Sequence, residues 1–225
     1  MWYVSIYAPV TLFSLKSSQA TNMAAKSLLL PSPYSIKMAM LDKLITFWSL
    51  EEAKKRFSKI KKMQFQFQLP EKIIVNNCFV KILKQPKKPT PKKQFQQSIC
   101  FREYIFFSDN IKIAIKLDDE MDTEWIEKTM KRINYFGKRG CFFQFIQSEI
   151  VEKLPLNFSG YFLQENAANG ILVKMDDFGS KVTFDKVNNF TSAQTIREEK
   201  IYCLPYYQTY STKDYSVFQY IDEGD

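Results

Sequence analysis

The sequence predicts a mixed α+β protein in which the first 150 residues have the element order βαββαβ and the remainder is a smaller β-rich portion. Three observations predict this class. Apolar and polar residues alternate along the first fifteen residues, two amphipathic helical segments are separated by strands, and only strands and turns follow residue 150. This order is that of a ferredoxin-like domain with an elaborated hairpin between its inner strands.

The composition is that of a folded protein that suits a polyanionic partner. The chain has 225 residues, of which 45% are hydrophobic and 16% aromatic, and its formal net charge is +8. Between Lys54 and Lys93, thirteen residues are Lys or Arg and only Glu71 is acidic. The charge pattern therefore makes this segment the candidate contact for a polyanion.

Signals for secretion, membrane insertion and metal binding are missing from the sequence. The start, MWYVSIYAPV, has no charged n-region, and no apolar run reaches the roughly 20 residues of a membrane span. The four cysteines are widely spaced and there is no histidine, so no metal-ligand set is expected. We expect a cytoplasmic protein without a bound metal or cofactor.

One strand and two helices are predicted at the start of the chain. After the strand, the small polar stretch 14–21 leads towards Ser32, a typical helix N-cap, with Pro33 at the first helical position. Ser49 and Glu52 form a capping-box pattern that begins a second, lysine-rich helix. The apolar face of the first helix is predicted from residues that recur every four positions: Ile36, Met40, Leu44 and Trp48.

Strands and a lysine-rich loop are predicted next. QFQFQL at 64–69 alternates as strands do, and NNCFVKILK continues in extended form. The prolines and lysines of KQPKKPTPKKQ at 84–94 predict an exposed loop. The strand patterns SICFREYIFF and IKIAIKL flank Ser-Asp-Asn at 108–110, which we interpret as a hairpin turn.

A third helix and the β-rich portion complete the prediction. Asp122 is the expected cap of a helix that contains Trp125 and Met130, and Gly137 is its expected end. We interpret the triplet Asp-Phe-Gly at 177–179 as a hairpin turn. These elements define a first domain at 1–150, with a hairpin insertion at about 76–100, and a β-rich portion at 151–225.

Four stretches resemble the Cas five family of CRISPR-associated proteins. They are the N-terminal strand, LLPSPYSIKMAML, FREYIFF and INYFGKRGCFFQF, in this order along the first 150 residues. REEKIYCLPYY in the tail is similar to the family's closing strand. Members of this family are the RAMP subunits that cap the 5′ handle of the guide RNA, or crRNA, in type I Cascade complexes.

The resemblance implies both a fold and a set of partners. The fold is an RRM-like ferredoxin domain from which a β-hairpin "thumb" projects, here at about 76–100. The implied partners are the crRNA 5′ handle, the adjacent backbone-filament subunit and the large subunit, with target DNA as an indirect partner.

Two groups of candidate RNA-binding residues follow from the helix entrance and from the thumb. A helix N-terminus has free N–H groups and a partial positive charge, which attract phosphates. A proline-stiffened lysine loop can follow phosphates without reading the base sequence. The helix-entrance group is Lys16, Ser17, Ser18, Lys26, Ser32, Tyr34 and Lys37, and the thumb group is Lys81, Lys84, Lys87, Lys88, Lys92 and Lys93.

Two smaller groups lie elsewhere in the sequence. Arg102 and Tyr104 share one face of a predicted strand, where arginine can contact phosphate and tyrosine can stack on a base. Lys138 and Arg139 lie between two glycines in a predicted turn. Each group also has a purely structural interpretation: a helix cap and a packed tyrosine, a solvated loop, a cross-strand pair and a helix-terminating turn.

The sequence favours a binding protein over an enzyme. Some members of the family cleave precursor guide RNA with tyrosine, lysine and histidine acting together, and this chain has no histidine. Ordinary lysine and tyrosine side chains have pKa values of about 10, poorly matched to proton transfer at neutral pH. A guide-RNA-processing RAMP endoribonuclease and a CRISPR-unrelated basic module that binds acidic proteins remain the alternatives.

Overall fold

A computed structural model describes residues 1–17, 20, 24–86, 88, 94–118, 123–160, 169–187 and 196–221 of the chain. In these ranges the chain combines helices with β-sheets, so the mixed α and β class predicted from the sequence is confirmed. The α-helices are α1 (Pro33–Phe47), α2 (Leu50–Lys62) and α3 (Glu124–Met130), and a short 3-10 helix spans Phe184–Lys186.

The strands are distributed along the whole chain. The first five are β1 (Trp2–Pro9), β2 (Leu15–Lys16), β3 (Ala24–Ala25), β4 (Ser27–Leu28) and β5 (Phe65–Gln68). The next four are β6 (Lys72–Lys84), β7 (Gln96–Phe107), β8 (Ile111–Lys116) and β9 (Phe143–Val151). The last four are β10 (Ile171–Phe178), β11 (Arg197–Leu204), β12 (Tyr206–Ser211) and β13 (Tyr215–Tyr220).

A four-stranded sheet has the order β5-β8-β1-β9, and each neighbouring pair is antiparallel. Helices α1 and α2 connect β1 to β5, and α3 lies between β8 and β9 in the chain. The two central strands contribute buried side chains to the main hydrophobic core, among them Tyr3 and Tyr7 of β1. This sheet is therefore the packing base for the helices.

A five-stranded sheet has the order β12-β13-β6-β7-β3. Its centre is the long hairpin β6–β7, whose register runs from Ile73 opposite Phe107 to Lys84 opposite Gln96. Strand β13, near the end of the chain, pairs with β6, so the C-terminal segment completes a sheet that the first half of the chain begins. Two further pairs, β10–β11 and β2–β4, are antiparallel ribbons.

Both predicted caps of the first two helices are observed. The Ser32 side chain accepts a hydrogen bond from the Ser35 N–H, and the Ser49 side chain accepts one from the Glu52 N–H. Of the predicted apolar face of α1, Ile36, Met40 and Leu44 are buried, whereas Trp48 follows the helix and is exposed. No helix in the described ranges is long and apolar enough to cross a membrane.

The turn predicted at 108–110 is not a hairpin. The strands on its two sides lie in different sheets: β7 pairs with β6 and β3, whereas β8 pairs with β1 and β5. The Ser108 N–H instead donates to the carbonyl of Lys72 and so extends the β6–β7 ladder at its open end. Local sequence marks the turn correctly but not the partner of the strand that enters it.

Two further boundary predictions are wrong. Helix α3 ends at Met130, and Gly137 lies in the following loop with a φ of 65°. Asp177 and Phe178 belong to β10, where Phe178 pairs with Arg197, so the triplet at 177–179 is the end of a strand. The predicted cap Asp122 lies outside the described residues.

Candidate nucleic-acid interface

A pocket of about 220 Å³ opens at the N-terminus of α1. Four segments distant in sequence form its walls: the strand pair β2–β4, the first turn of α1, the loop after α3 and the ribbon β10–β11. One carboxylate, that of Asp176, lines the pocket together with four cations: Lys16, Lys138, Lys174 and Arg197. The lining is therefore predominantly positive.

Helix α1 adds its own positive end to this pocket. Its first turn contains no acidic residue, and Ser32 and Ser35 both line the pocket. The Ser32 hydroxyl oxygen accepts a hydrogen bond from the Ser35 N–H at 3.2 Å, and the Ser32 carbonyl accepts one from the Ser35 hydroxyl at 2.7 Å. A 15-residue helix has a partial positive charge at this end, which favours a bound anion.

Arg197 is held over the ring of Tyr34. Its guanidinium carbon is 4.1 Å from the ring centroid, and one guanidinium nitrogen donates to Asp176 Oδ2 at 2.9 Å. The Tyr34 ring also packs edge-on against Phe178, with 5.4 Å between centroids. Tyr34 therefore orients the arginine, whose side chain is still 47% exposed and can contact a ligand from solvent.

The loop after α3 places Lys138 at the pocket. Gly137 and Gly140 have φ values of 65° and 101°, a conformation that favours glycine. The Cys141 N–H donates to the Lys138 carbonyl at 3.1 Å and so closes the turn between them. Lys138 lines the pocket, whereas Arg139 is exposed and does not line it, so only one of the two predicted cations lies at the pocket.

Lys37 corrects the sequence prediction, because its side chain is only 1% exposed and its ammonium group faces the interior. Lys37 Nζ lies 2.6 Å from Asp177 Oδ1 and donates to the Lys61 carbonyl at 2.8 Å. Desolvation lowers the pKa of Lys37, and the nearby Asp177 carboxylate opposes this effect. Lys37 joins α1 to β10 and does not present its charge to a surface phosphate.

The other helix-entrance residues are distributed around the β2–β4 ribbon. Lys16 lines the pocket and pairs in register with Ser27. The Ser17 N–H donates to the Lys26 carbonyl at 3.2 Å, and the Lys26 side chain is exposed. Ser18 lies outside the described residues, so the structure places Lys16, Ser32 and Tyr34 at the pocket and Ser17 and Lys26 beside its ribbon.

The predicted thumb is the distal part of the β6–β7 hairpin. Lys81 and Lys84 lie three positions apart on β6, so their exposed side chains point to opposite faces. Lys88 is exposed near the tip, while Lys87, Lys92 and Lys93 lie outside the described residues. The described lysines of the thumb therefore do not form one continuous stripe.

Arg102 and Tyr104 lie on the same face of β7, as alternation predicted. Their cross-strand neighbours are Cys78 and Asn76 of β6, and both side chains are partly buried. The neighbouring Ile105 points the other way and is fully buried, so Arg102 and Tyr104 face away from the core. Contact of either residue with RNA stays a prediction.

Three important residues were missed by sequence reasoning. Lys174 and Arg197 line the pocket from strands β10 and β11, and Asp177 anchors Lys37. Arg197 begins REEKIYCLPYY and Lys174 lies in ILVKM, two segments read only as strands. The signal for Asp177 is a carboxylate beside phenylalanine at the end of an apolar strand, where burial requires a charged partner.

Comparison with known proteins gives one sequence relative and several distant structural neighbours. No family model matches the chain. A protein from Archaeoglobus fulgidus named "CRISPR-associated protein Cas5" is 24% identical over 201 residues, covering 85% of this chain and 87% of that protein. The resemblance to the Cas five family predicted from the sequence is thereby confirmed.

The structural neighbours are more remote in sequence. A crystal structure of a CRISPR protein from Archaeoglobus fulgidus has a TM-score of 0.47 and 8% identity, covering 99% of this chain and 92% of that one. A chain of a CRISPR RNA-guided surveillance complex has a TM-score of 0.42 and 11% identity, covering 90% and 88%. A chain of a type III-B Cmr-beta complex bound to cognate target RNA has a TM-score of 0.46 and 12% identity, covering 96% and 86%.

Proposed function

We propose that this chain, which resembles the Cas five family, is a non-catalytic crRNA-binding subunit of a type I CRISPR Cascade complex in the cytoplasm. Its role would be to cap the 5′ handle of the guide RNA. The observation that carries the proposal is the convergence of Lys16, Lys138, Lys174 and Arg197 on the N-terminus of α1.

The chemistry of the pocket suits a phosphate of the RNA backbone. Four cations face one carboxylate, and the positive end of α1 adds to the excess. Arg197 is oriented by Tyr34 and Asp176 before a ligand arrives, which reduces the entropy lost on binding. Contacts of this type fix the position of an RNA strand without reading its bases.

The fold proposed for this role is the ferredoxin-like RAMP core. The order β5-β8-β1-β9, with α1 and α2 after β1 and α3 after β8, supports the βαββαβ arrangement. In this interpretation the β6–β7 hairpin is an insertion between the second and third core strands. The boundary near residue 150 stays a prediction, although β13 pairs with β6 across it.

The distal hairpin supports a protein contact in the complex. Phe79 and Phe101 are opposite each other in the register, with ring centroids 5.4 Å apart, and Leu83 and Ile99 share their face. All four side chains are exposed. We assign this face to the adjacent backbone-filament subunit, because exposed apolar patches on soluble proteins mark contact surfaces. The large subunit, and target DNA through the complex, are the further partners that the family resemblance supports.

We also propose that the chain does not cleave RNA. It has no histidine, and burial raises the pKa of Tyr3 to about 12 and the pKa of Tyr7 well above its ordinary value. These buried phenols hold their protons more tightly than free tyrosine and are poor general bases near neutral pH. A separate nuclease would then supply the guide.

Salt-dependent binding of a handle RNA to the purified protein tests the proposed pocket. Lys138→Gln together with Lys174→Gln should weaken binding and reduce the log-log salt slope by roughly 1 to 1.5 units, because each phosphate contact to a single strand contributes about 0.7. Lys153→Gln is the matched control, since Lys153 is an exposed lysine outside the pocket lining. An unchanged slope in the double variant, with the fold intact, would exclude the pocket as the handle site.

A further inference from the structure

The outer face of the five-stranded sheet carries an aromatic surface that lies outside the pocket. One row of the register joins Tyr210, Val217, Ile74 and Phe106 across four strands. The next row joins Tyr215, Asn76 and Tyr104. Residues that are opposite each other in register share a face. We name this surface the aromatic platform and define it by five rings: Tyr104, Phe106, Tyr207, Tyr210 and Tyr215.

Burial shows that the platform faces solvent. On the other face of the same strands, Ile73, Val75, Ile105 and Phe107 are buried in the core. Four of the five platform rings are exposed, Phe106 at 42%, Tyr207 at 49%, Tyr210 at 52% and Tyr215 at 38%, and Tyr104 is partly buried. Tyr210 and Tyr215 pack against each other, with 5.6 Å between ring centroids. A cluster of exposed rings on one flat sheet face is a typical contact surface.

The charges on this face identify the kind of partner. Its outward positions include Lys72, which pairs with Gln219, and Arg102, which pairs with Cys78. In the described parts of β6, β7, β12 and β13, no outward position holds Asp or Glu. Lys84 lies further along the same face of β6, towards the lysine-rich tip. A surface with aromatic rings and cations but no carboxylate suits a single-stranded nucleic acid, whose bases have π faces and whose phosphates are negative.

We propose that the aromatic platform binds single-stranded RNA by base stacking, with Lys72 and Arg102 as phosphate contacts. The inference rests on the proposed function, in which the guide is the RNA that this chain binds. It assigns the platform to guide nucleotides outside the handle. None of the platform residues lines the pocket at α1, so the two surfaces are separate sites. Stacking is tolerant of base sequence, since every base has a π face, which suits a guide whose sequence varies.

The test uses a short oligoadenylate RNA that lacks any handle sequence. Wild-type protein should bind this RNA, and Phe106→Leu or Tyr210→Leu should each weaken binding about tenfold, because each removes a stacking ring and keeps an apolar side chain. Tyr210→Phe keeps the ring and should bind as wild type does. Phe142→Leu is the matched control, since Phe142 is an exposed ring outside this sheet.

Ultraviolet crosslinking of the wild-type protein keeps the proposal testable if a variant fails to fold. Nucleotide adducts should map to peptides from β7, β12 and β13. Absence of oligoadenylate binding, binding as tight as wild type by both leucine variants, or adducts confined to other strands would overturn the proposal. So would loss of a partner subunit, rather than of RNA, in the leucine variants.

The pocket variants separate this proposal from the proposed function. Lys138→Gln with Lys174→Gln should weaken handle RNA but leave oligoadenylate binding unchanged. If only the platform proposal is wrong, handle RNA will bind normally and the leucine variants will not weaken oligoadenylate binding. Failure of the pocket alone would appear as ring-dependent binding of both RNAs with no effect of the lysine substitutions.

Discussion

Replacement of Asp177 by asparagine should strongly destabilise the protein, because it removes the counter-ion of a buried lysine. Asp177 lies between two ammonium groups, with Lys37 Nζ at 2.6 Å and Lys200 Nζ at 2.9 Å, and also accepts the Phe178 N–H at 2.7 Å. Asparagine preserves the shape but has no negative charge, so the buried Lys37 ammonium keeps only neutral partners such as the Lys61 carbonyl. The substitution would therefore weaken the packing of β10 against α1.

The expected cost follows from which charge is left without a partner. Breaking a buried ion pair by removing one member costs about 3–5 kcal/mol. For a chain of this length that loss lowers the melting temperature by roughly 6–20 °C. Lys37→Met should cost only about 1–2 kcal/mol, because Asp177 keeps Lys200 and the Phe178 N–H as partners.

Urea unfolding of the two single variants and the double variant measures this asymmetry. In the Lys37→Met background, Asp177→Asn should cost much less than it does alone, because no buried ammonium is left unpaired. The comparison is valid while the denaturant slope stays constant across the series. Additive costs, or an Asp177→Asn change within about 1 kcal/mol of wild type, would refute the reasoning.

Three further outcomes are expected. Raising the pH from 10.0 to 12 should destabilise wild type more than Tyr3→Phe in an unfolding assay. Burial raises the pKa of Tyr3 to about 12, so the phenol of the unfolded chain loses its proton at a lower pH than the phenol of the folded protein. The stability that Tyr3 contributes below pH 10.0 is therefore lost in this window. Equal pH dependence of the two proteins would contradict this. Purified protein should bind handle RNA without cutting it, with or without divalent metal, and a cleavage product lost in a single Tyr or Lys variant would favour the endoribonuclease alternative. Replacing four thumb lysines by glutamine should weaken guide binding equally for different spacer sequences, since phosphate contacts carry no base information. The four are Lys87, Lys88, Lys92 and Lys93. A loss of binding limited to certain spacers would argue against this role.

The parts of the fold that sequence predicts well are those that depend on neighbours along the chain. The cap at Ser32 depends on Ser35, and the cap at Ser49 depends on Glu52, so a window of four residues contains each signal. The shared face of Arg102 and Tyr104 follows from the two-residue period of a strand. Such features need no knowledge of what packs against them.

The parts that sequence missed depend on partners far along the chain. The sequence pattern of α1 predicts Lys37 to be a surface lysine, and only the packing of Asp177 from β10 against it makes it an interior residue. Arg197 and Lys174 likewise join the pocket only because the β10–β11 ribbon packs beside α1. Hydrophobic periodicity predicts neither contact, because it indicates which face of a helix or strand is buried and not which element packs against that face.

The nucleic acid that copurifies with the assembled complex tests the capping role most directly. RNA extracted from the wild-type complex should be a set of molecules with one common 5′ sequence followed by varied sequences. Complexes that carry Lys174→Gln and Arg197→Gln should retain less of this RNA than complexes that carry Lys153→Gln. RNA without a common 5′ end, or the same RNA content in the pocket variants and the control, would contradict the proposal that this chain holds the guide's handle.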